Sequence, residues 1–395
     1  MTLALYGNQP VRKNFLSYGQ QWITEEDIQA VVETLQSPYL TQGPKIDQFE
    51  QAIAEYVGAK YAVAFINGTA ALHGACYAAG IGKGDEVITT PMTFAASANC
   101  VLYMGGKPVF ADIDNKTYNI DPKSIEKLIT SKTKAVIAVD YTGQPANLDE
   151  IKLLCKKHNL VFIEDGAHSI GASYKGEKVG SQADMTMFSF HPVKHITTGE
   201  GGIITTNSEE YAKKLRLFRS HGITKETLTG DEGPWYYEMI DLGMNYRMTD
   251  IQASLGCSQL KRLDSFVKRR REISNQYTNA FNNIPNVVVP FQDPDGESSW
   301  HLYMLRLRLE NLSVDRKKVF EALRAENIGV HVHYIPVHTL SYYQSLGYMK
   351  GICPNAETYY EEALTLPLFP KMTEDDVQSV ITAVEKVIDY FSKKG

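Results

Sequence analysis

"LVFIEDGAHSIGA", residues 160–172, runs four strand-type residues into two acids, Glu164 and Asp165, and then turns at a glycine. A run this apolar on both faces belongs inside a sheet covered by helices, not on a half-wet surface. Six further runs share its texture: "YAVAFI" at 61–66, "DEVITT" at 85–90, "PVFADI" at 108–113, "AVIAVD" at 135–140, "MTMFSF" at 185–190 and "GIITT" at 202–206. Helical segments alternate with them, so the region predicts an α/β fold around a mainly parallel sheet.

Outside this region the texture changes. Thr24 opens "TEEDIQAVVETLQS" with Asp27 three residues on and apolar positions at Ile28, Val31, Val32 and Leu35, the pattern of an N-capped amphipathic helix. Residues 1–24 then read as an irregular N-terminal arm, and residues 25–249 as a large α/β domain. After Thr249 comes one long helical stretch, "DIQASLGCSQLKRLDSFVKRRREISNQYTNAF". It is followed by strand "WHLYMLRLRL", helix "DRKKVFEALRAEN", strand "GVHVHYI" and a helix begun by Thr373. Elements that no longer alternate regularly predict a smaller C-terminal α+β domain, residues 250–395, joined to the first by the long helix.

The 395 residues are 43% hydrophobic and 22% charged, enough for a sizeable core and a second lobe. A net charge of −6, with basic residues scattered, gives no footprint for nucleic acid. No stretch approaches the ~20 apolar residues of a membrane span, and the N-terminus lacks the pattern of a secretion signal. Five cysteines, widely spaced and without a C-x-x-C pair, suit reduced thiols in a cytoplasmic protein.

In an open parallel sheet, ligands gather beyond the carboxyl ends of the strands. After "YAVAFI" comes "NGTAALHGACYAAG", whose early helical amides at Gly68 and Thr69 are placed to hold an anion, although such a turn is more often only a cap. After "DEVITT" comes "PMTFAASAN" with Phe94, a residue type usually found in the core. The sharpest signal is Asp165 at a strand end followed, twenty-nine residues on, by Lys194 in "FSFHPVKHITTGEGG", with Ser189 ahead of it. Pyridoxal phosphate requires such a set: an amine to form an imine with its aldehyde, a carboxylate beside the pyridine nitrogen, and hydroxyls and amides for its phosphate.

"NGTAALH", "TPMTFAASAN", "EDGAHSIGA", "FSFHPVKHITTGEGG" and "LGMNYRMTDIQAS" together resemble the DegT/DnrJ/EryC1/StrS family of nucleotide-sugar aminotransferases, within the fold type I pyridoxal phosphate enzymes. The resemblance runs from about residue 10 onward. It implies that Lys194 holds the cofactor and shuttles a proton, its pKa lowered by its surroundings, and that Asp165 pairs with the pyridinium. It implies Phe94 on the ring, His168 near the ring's 3-oxygen, and Gly68, Thr69 and Ser189 on the phosphate. Asn245 would reach the phosphate of a neighbouring subunit, making a homodimer the minimum unit. Tyr334 and His195 are the implied substrate contacts. The wording of the lysine motif is most similar to the branch that moves an amino group from L-glutamate to a UDP-4-keto-6-deoxy-N-acetylhexosamine towards pseudaminic acid. Dehydrating relatives carry histidine in place of the lysine, and this chain keeps Lys194.

Other readings compete. His331 and His333 fall on one face of the expected strand "GVHVHYI", with His338 nearby, but no acidic or thiol partner accompanies them and no metal site is expected. "KRRR", residues 268–271, reads as a solvated helix face. "TTGEGG" lacks the Lys-Ser/Thr of a P-loop, which removes a nucleoside triphosphatase. Another fold type I reaction, amination of a different nucleotide keto-sugar at C3 or C4, and a non-catalytic cofactor-binding regulator stand as alternatives.

Overall fold

The computed structural model describes residues 2–225 and 233–393. A seven-stranded sheet forms its centre, in the order β1-β9-β8-β5-β4-β2-β3. The strands are β1 (Tyr61–Phe65), β2 (Glu86–Thr89), β3 (Lys107–Phe110), β4 (Thr133–Val139), β5 (Val161–Asp165), β8 (Met185–Ser189) and β9 (Gly202–Thr206), with a small hairpin of β6 (Ser173–Tyr174) and β7 (Glu177–Lys178) at the side. Only β9 runs against its neighbours, β1 and β8. The apolar runs are explained by covering on both faces. Alternate residues Val63, Phe65, Ile163 and Ile204 pack with helices on one side, and Ala62, Ala64, Phe162 and Ile203 face the other.

The covering helices are α1 (Glu25–Leu35), α2 (Pro44–Val57), α3 (Gly68–Ala78), α4 (Ala96–Tyr103), α5 (Pro122–Leu128), α6 (Leu148–His158), α7 (Glu209–Phe218) and α8 (Asp250–Leu260). Capping starts several of them. Thr24 and Asp27 form a capping box at α1, as do Thr249 and Gln252 at α8. The first is shared between helices: the buried Asp27 carboxylate also accepts bonds from Ser258 and Gln259 at 2.7 Å and pairs with Arg262.

The smaller domain comprises α9 (Leu263–Phe281), α10 (Arg316–Ala325), α11 (Ser341–Ser345), α12 (Pro354–Glu362) and α13 (Glu374–Phe391). They surround an antiparallel sheet of β12 (Val287–Val288), β14 (Tyr303–Leu307) and β15 (Ala363–Leu366). Two further short pairings use β10 (Ile223–Thr224) with β11 (Glu238–Met239), and β13 (Gly296–Glu297) with β6.

Two expectations change. The long helix after Thr249 is two helices, broken at Lys261 and Arg262, where Arg262 leaves the helical path and turns its guanidinium to Asp27 and the Trp22 carbonyl. Between the two lobes, α8 packs on α2, with Gly256 against the Phe49 ring, and the change of core comes inside α9, between Val267 and Ile273. The irregular arm is anchored, with Leu3 and Leu16 buried in the small domain's core. Finally, "GVHVHYI" forms no strand; its pairing is an isolated bridge between His331 and Thr365.

Candidate active site

Register places the carboxyl ends of the parallel strands along one edge: Val139 opposite Asp165, Asp165 opposite Met187, and both Phe65 and Ser189 opposite Gly202. A cavity of about 580 Å³ opens beyond this edge. Gly68, Thr69, Phe94, Asp165, His168, Ser189, Lys194 and Tyr334, eight of the ten residues singled out from the sequence, line it.

Lys194 lies in the loop between β8 and β9. Phe190 and Ile196 bury this loop in the core, and bonds from Phe190 N to Gly201 O (2.9 Å) and Thr198 N to Phe190 O (3.1 Å) close it. A bond from Gln252 of α8 to the Glu200 carbonyl at 2.6 Å ties it down. The lysine therefore does not swing on a surface hairpin. Its side chain is half-buried in the cavity wall, and burial brings its pKa down to about 8 against the opposing pull of Asp165.

Asp165 is 4% exposed, and burial raises its pKa; bonds from Ser97 Oγ at 2.7 Å and the Ala167 amide at 3.1 Å, with the charge of Lys194, act the other way. Ser97, in the first turn of α4, was not singled out from the sequence. Tyr334 Oη lies 3.1 Å from His168 Nε2. Burial drives the imidazole's pKa down and the phenol's up, so both are neutral. With the phenol donating, Nδ1 of His168 carries the ring proton and meets no acceptor among the described residues.

The α3 N-terminus forms the next wall. Asn67 caps it by accepting a 2.8 Å bond from Ala70, which leaves the amides of Gly68 and Thr69 without intrahelical partners. A Cβ on Gly68 would come within 3.3 Å of Ser189 Oγ, so amides and hydroxyl converge on one spot suited to a phosphate. Phe94, expected in the core as an isolated residue, is 63% exposed on the opposite wall.

Two residues lie elsewhere. Asn245 is exposed, bridged to Ser220 outside the cavity lining. His195 is turned away from the cavity: it is buried, its Nε2 is 3.0 Å from the Ser299 carbonyl and its ring lies 5.6 Å from that of His301. A substrate contact by His195 is thus not what this chain's geometry offers. Sequence reading missed His301, whose ring lies 4.3 Å from His168; Tyr18 of the arm lines the cavity with its ring tilted 5.2 and 5.3 Å from those of His331 and His333. Behind the site, Glu164 has no cationic partner among the described residues. It accepts a 2.8 Å bond from Thr186, and beside Asp140 it can share a proton, burial raising both carboxyls' pKa values. Among the described residues no group of three or more His, Cys, Asp or Glu is arranged to hold a metal.

Known proteins resemble this chain over nearly its whole length. A "UDP-4-amino-4,6-dideoxy-N-acetyl-beta-L-altrosamine transaminase" of Campylobacter jejuni is 40% identical over 383 residues, 96% of this chain and 99% of that one. The structure of Helicobacter pylori PseC, described as an aminotransferase involved in the biosynthesis of pseudoaminic acid, superposes with a TM-score of 0.90 at 36% identity, over 96% of this chain and 100% of that one. A putative sugar aminotransferase of Streptococcus pneumoniae in its PLP form gives 0.87 at 33% identity, covering 94% of this chain and 99% of that one. These are enzymes of fold type I, and the mixed, mostly parallel sheet found here is theirs. The profile of the DegT/DnrJ/EryC1/StrS aminotransferase family matches residues 21–385, and the chain belongs to that family.

Proposed function

We propose that this aminotransferase uses pyridoxal phosphate to move the amino group of L-glutamate to the 4-keto group of a UDP-4-keto-6-deoxy-N-acetylhexosamine, releasing 2-oxoglutarate and a 4-amino sugar nucleotide. The observation that carries the reading is a single amine, Lys194, enclosed beside a buried carboxylate and across from an anion cradle in one cavity. The donors fit the cofactor: Lys194 for its aldehyde, Asp165 for its ring nitrogen, Phe94 for its face, the spare Nδ1 of His168 for its ring oxygen, and Gly68, Thr69 and Ser189 for its phosphate. When bound, the cofactor supplies the carbonyl that carries the amino group and a ring that withdraws electrons.

Each protein group has its own task. The lysine, with its pKa down near 8, has a substantial uncharged fraction near neutrality and can accept a proton at Nζ. Asp165, held by Ser97, favours a protonated ring nitrogen. Tyr334 orients His168, and the exposed Phe94 ring closes one wall against water. Names of relatives support the sugar nucleotide as acceptor. Our reading includes a cytoplasmic homodimer in which Asn245, exposed and outside its own cavity, serves a second copy's phosphate.

Incubation with glutamate and the UDP-4-keto sugar, followed by product mass, tests the reading. Lys194→Ala abolishes the product, and borohydride then no longer tags peptide 188–202. Turnover of small keto acids alone, or a Lys194→Ala chain that retains product formation, refutes it.

A further inference from the structure

One wall of the cavity is left over once the cofactor's donors are assigned. Tyr18, His331 and His333 line it, the two imidazoles stacked with centroids 4.6 Å apart and the phenol tilted against both. All three hang from one short stretch at the end of β15. Thr365 exchanges backbone bonds with His331 at 3.1 and 2.8 Å, its Oγ1 lies 2.8 Å from His333 Nδ1, and the Leu368 amide donates to the Tyr18 carbonyl at 3.0 Å. Arg270 pins this stretch from behind. The segment "KRRR" is therefore not a solvated face throughout: Arg270 is 1% exposed and donates to the Leu368 carbonyl at 2.8 Å.

The contacts fix where each ring proton sits. A backbone amide only donates, so His331 Nδ1, 2.8 Å from the Val332 amide and farther from the Val332 carbonyl at 3.2 Å, is a bare acceptor with the ring proton on Nε2. The Thr365 hydroxyl has one proton and lies between His333 Nδ1 and Met304 Sδ, the latter at 3.1 Å. A thioether cannot donate. Both contacts are made together only when the hydroxyl donates to the sulfur and His333 Nδ1–H donates to the hydroxyl oxygen. That leaves His333 Nε2 as a bare acceptor, on a ring that burial keeps neutral. Neither Nε2 has a hydrogen-bond partner among the described residues. The wall thus offers one N–H and one lone pair on neighbouring rings. Such a pair complements an amide, which carries one carbonyl and one N–H, whereas a carboxylate or diphosphate would find only a single donor.

We propose that His331 and His333 are the specificity-determining pair for an amide group of the sugar nucleotide, His331 Nε2–H donating to its carbonyl and His333 Nε2 accepting from its N–H. This rests on the sugar-nucleotide aminotransferase reading. Two parts of such a substrate carry the required chemistry: the acetamido group on the sugar and the imide edge of uracil. Glutamate carries neither, so the pair acts in amination of the sugar and not in loading the cofactor with its amino group.

The test runs the two halves of the reaction separately on the holoenzyme. Glutamate alone loads the cofactor, followed by absorbance; the loaded enzyme is then given three 4-keto-6-deoxy sugars, and a second-order rate constant is taken for each. They are the UDP-N-acetylhexosamine, the UDP-hexose with a hydroxyl in place of the acetamido group, and the CDP-hexose, whose base has no imide N–H. A sugar too slow to follow is scored by its Kd as a competitor. His331 is exposed, so His331→Phe keeps the ring stack and removes the donor. Loss of one neutral hydrogen bond slows the sugar half about three- to tenfold, while the glutamate half stays at the wild-type rate. His331→Gln, which keeps an N–H near the Nε2 position, restores most of the loss. A loss confined to the N-acetylated sugar assigns the pair to the acetamido group; an equal loss on both UDP sugars, with none on the CDP sugar, assigns it to uracil. Wild-type rates on all three, an equal loss on all three, or a loss in the glutamate half overturns the inference and leaves the function standing. A wild type that aminates none of the three overturns the function, and the inference with it.

Discussion

Gly202 is where strand and helix meet most closely. A Cβ there would lie 2.6 Å from the carbonyl carbon and oxygen of Asn67 and 2.7 Å from Gly68 N, about 0.8 Å short of ordinary contact. Neither side yields cheaply, since Gly202 is paired to both Phe65 and Ser189 and Asn67 is the cap of α3. Gly202→Ala therefore costs about 1–3 kcal/mol in overpacking, seen as a lower melting temperature. It also pushes the Gly68 and Thr69 amides off the anion position. Loss of one hydrogen bond to a charged group is worth about 1.5–3 kcal/mol, so pyridoxal phosphate binds roughly ten- to a hundredfold more weakly. Equilibrium dialysis with pyridoxal phosphate and with pyridoxal reads this directly, because only the phosphorylated form should lose affinity. Gly296→Ala, whose Cβ meets Pro145 at an ordinary 3.5 Å, is the control. Equal losses for both vitamers, or wild-type affinity for pyridoxal phosphate, refute the assignment of the α3 N-terminus as phosphate cradle.

Two further outcomes are expected. Ser97→Ala removes the bond that restrains the pKa of Asp165, so the carboxyl rises further; the acid limb of the kcat/KM profile moves to higher pH by about half a unit or more, and a profile that does not move refutes the role of Ser97. The Asp140 and Glu164 pair sets a pH dependence of stability whose sign follows from its raised native pKa values: the contribution is full below the unfolded values near 4 and is lost as pH rises through the native ones. Asp140→Asn flattens that decline in urea midpoints measured from pH 4 to 8, and an unchanged slope refutes the shared proton.

Much of the site was legible because it is built from local rules. Apolar strand runs deliver Asp165 and Ser189 to one edge, the glycine-rich loop brings Lys194 to it, and a capped helix presents Gly68 and Thr69. What escaped reading depends on distant contacts. Arg270 has the same helical neighbours on paper as Arg269 and Arg271; only the carbonyls of residues 300, 301 and 368 distinguish it. Ser97 and His301 gain their meaning from Asp165 and His168, far away in sequence. The break between α8 and α9 carries no proline or glycine, being set by the pull of Asp27 on Arg262. In "GVHVHYI" the alternation is correct for a strand, yet apart from the bridge at His331 the segment has no ladder partner.

The arm has a consequence for how this protein comes into being. Ala4 and Val11 amides donate to the buried Glu326 carboxylate at 2.9 and 2.8 Å, that carboxylate pairs with Lys386 of α13, and Leu3 and Leu16 lie among α13 side chains such as Val384 and Val387. Residues 3–16 thus take their place only against residues more than 300 positions further along the chain. Tyr18, held by its carbonyl to Leu368, takes its place in the cavity wall only once that pairing closes. Contacts of such large sequence separation are slow to form, so the part of the cavity wall that Tyr18 supplies closes late in folding.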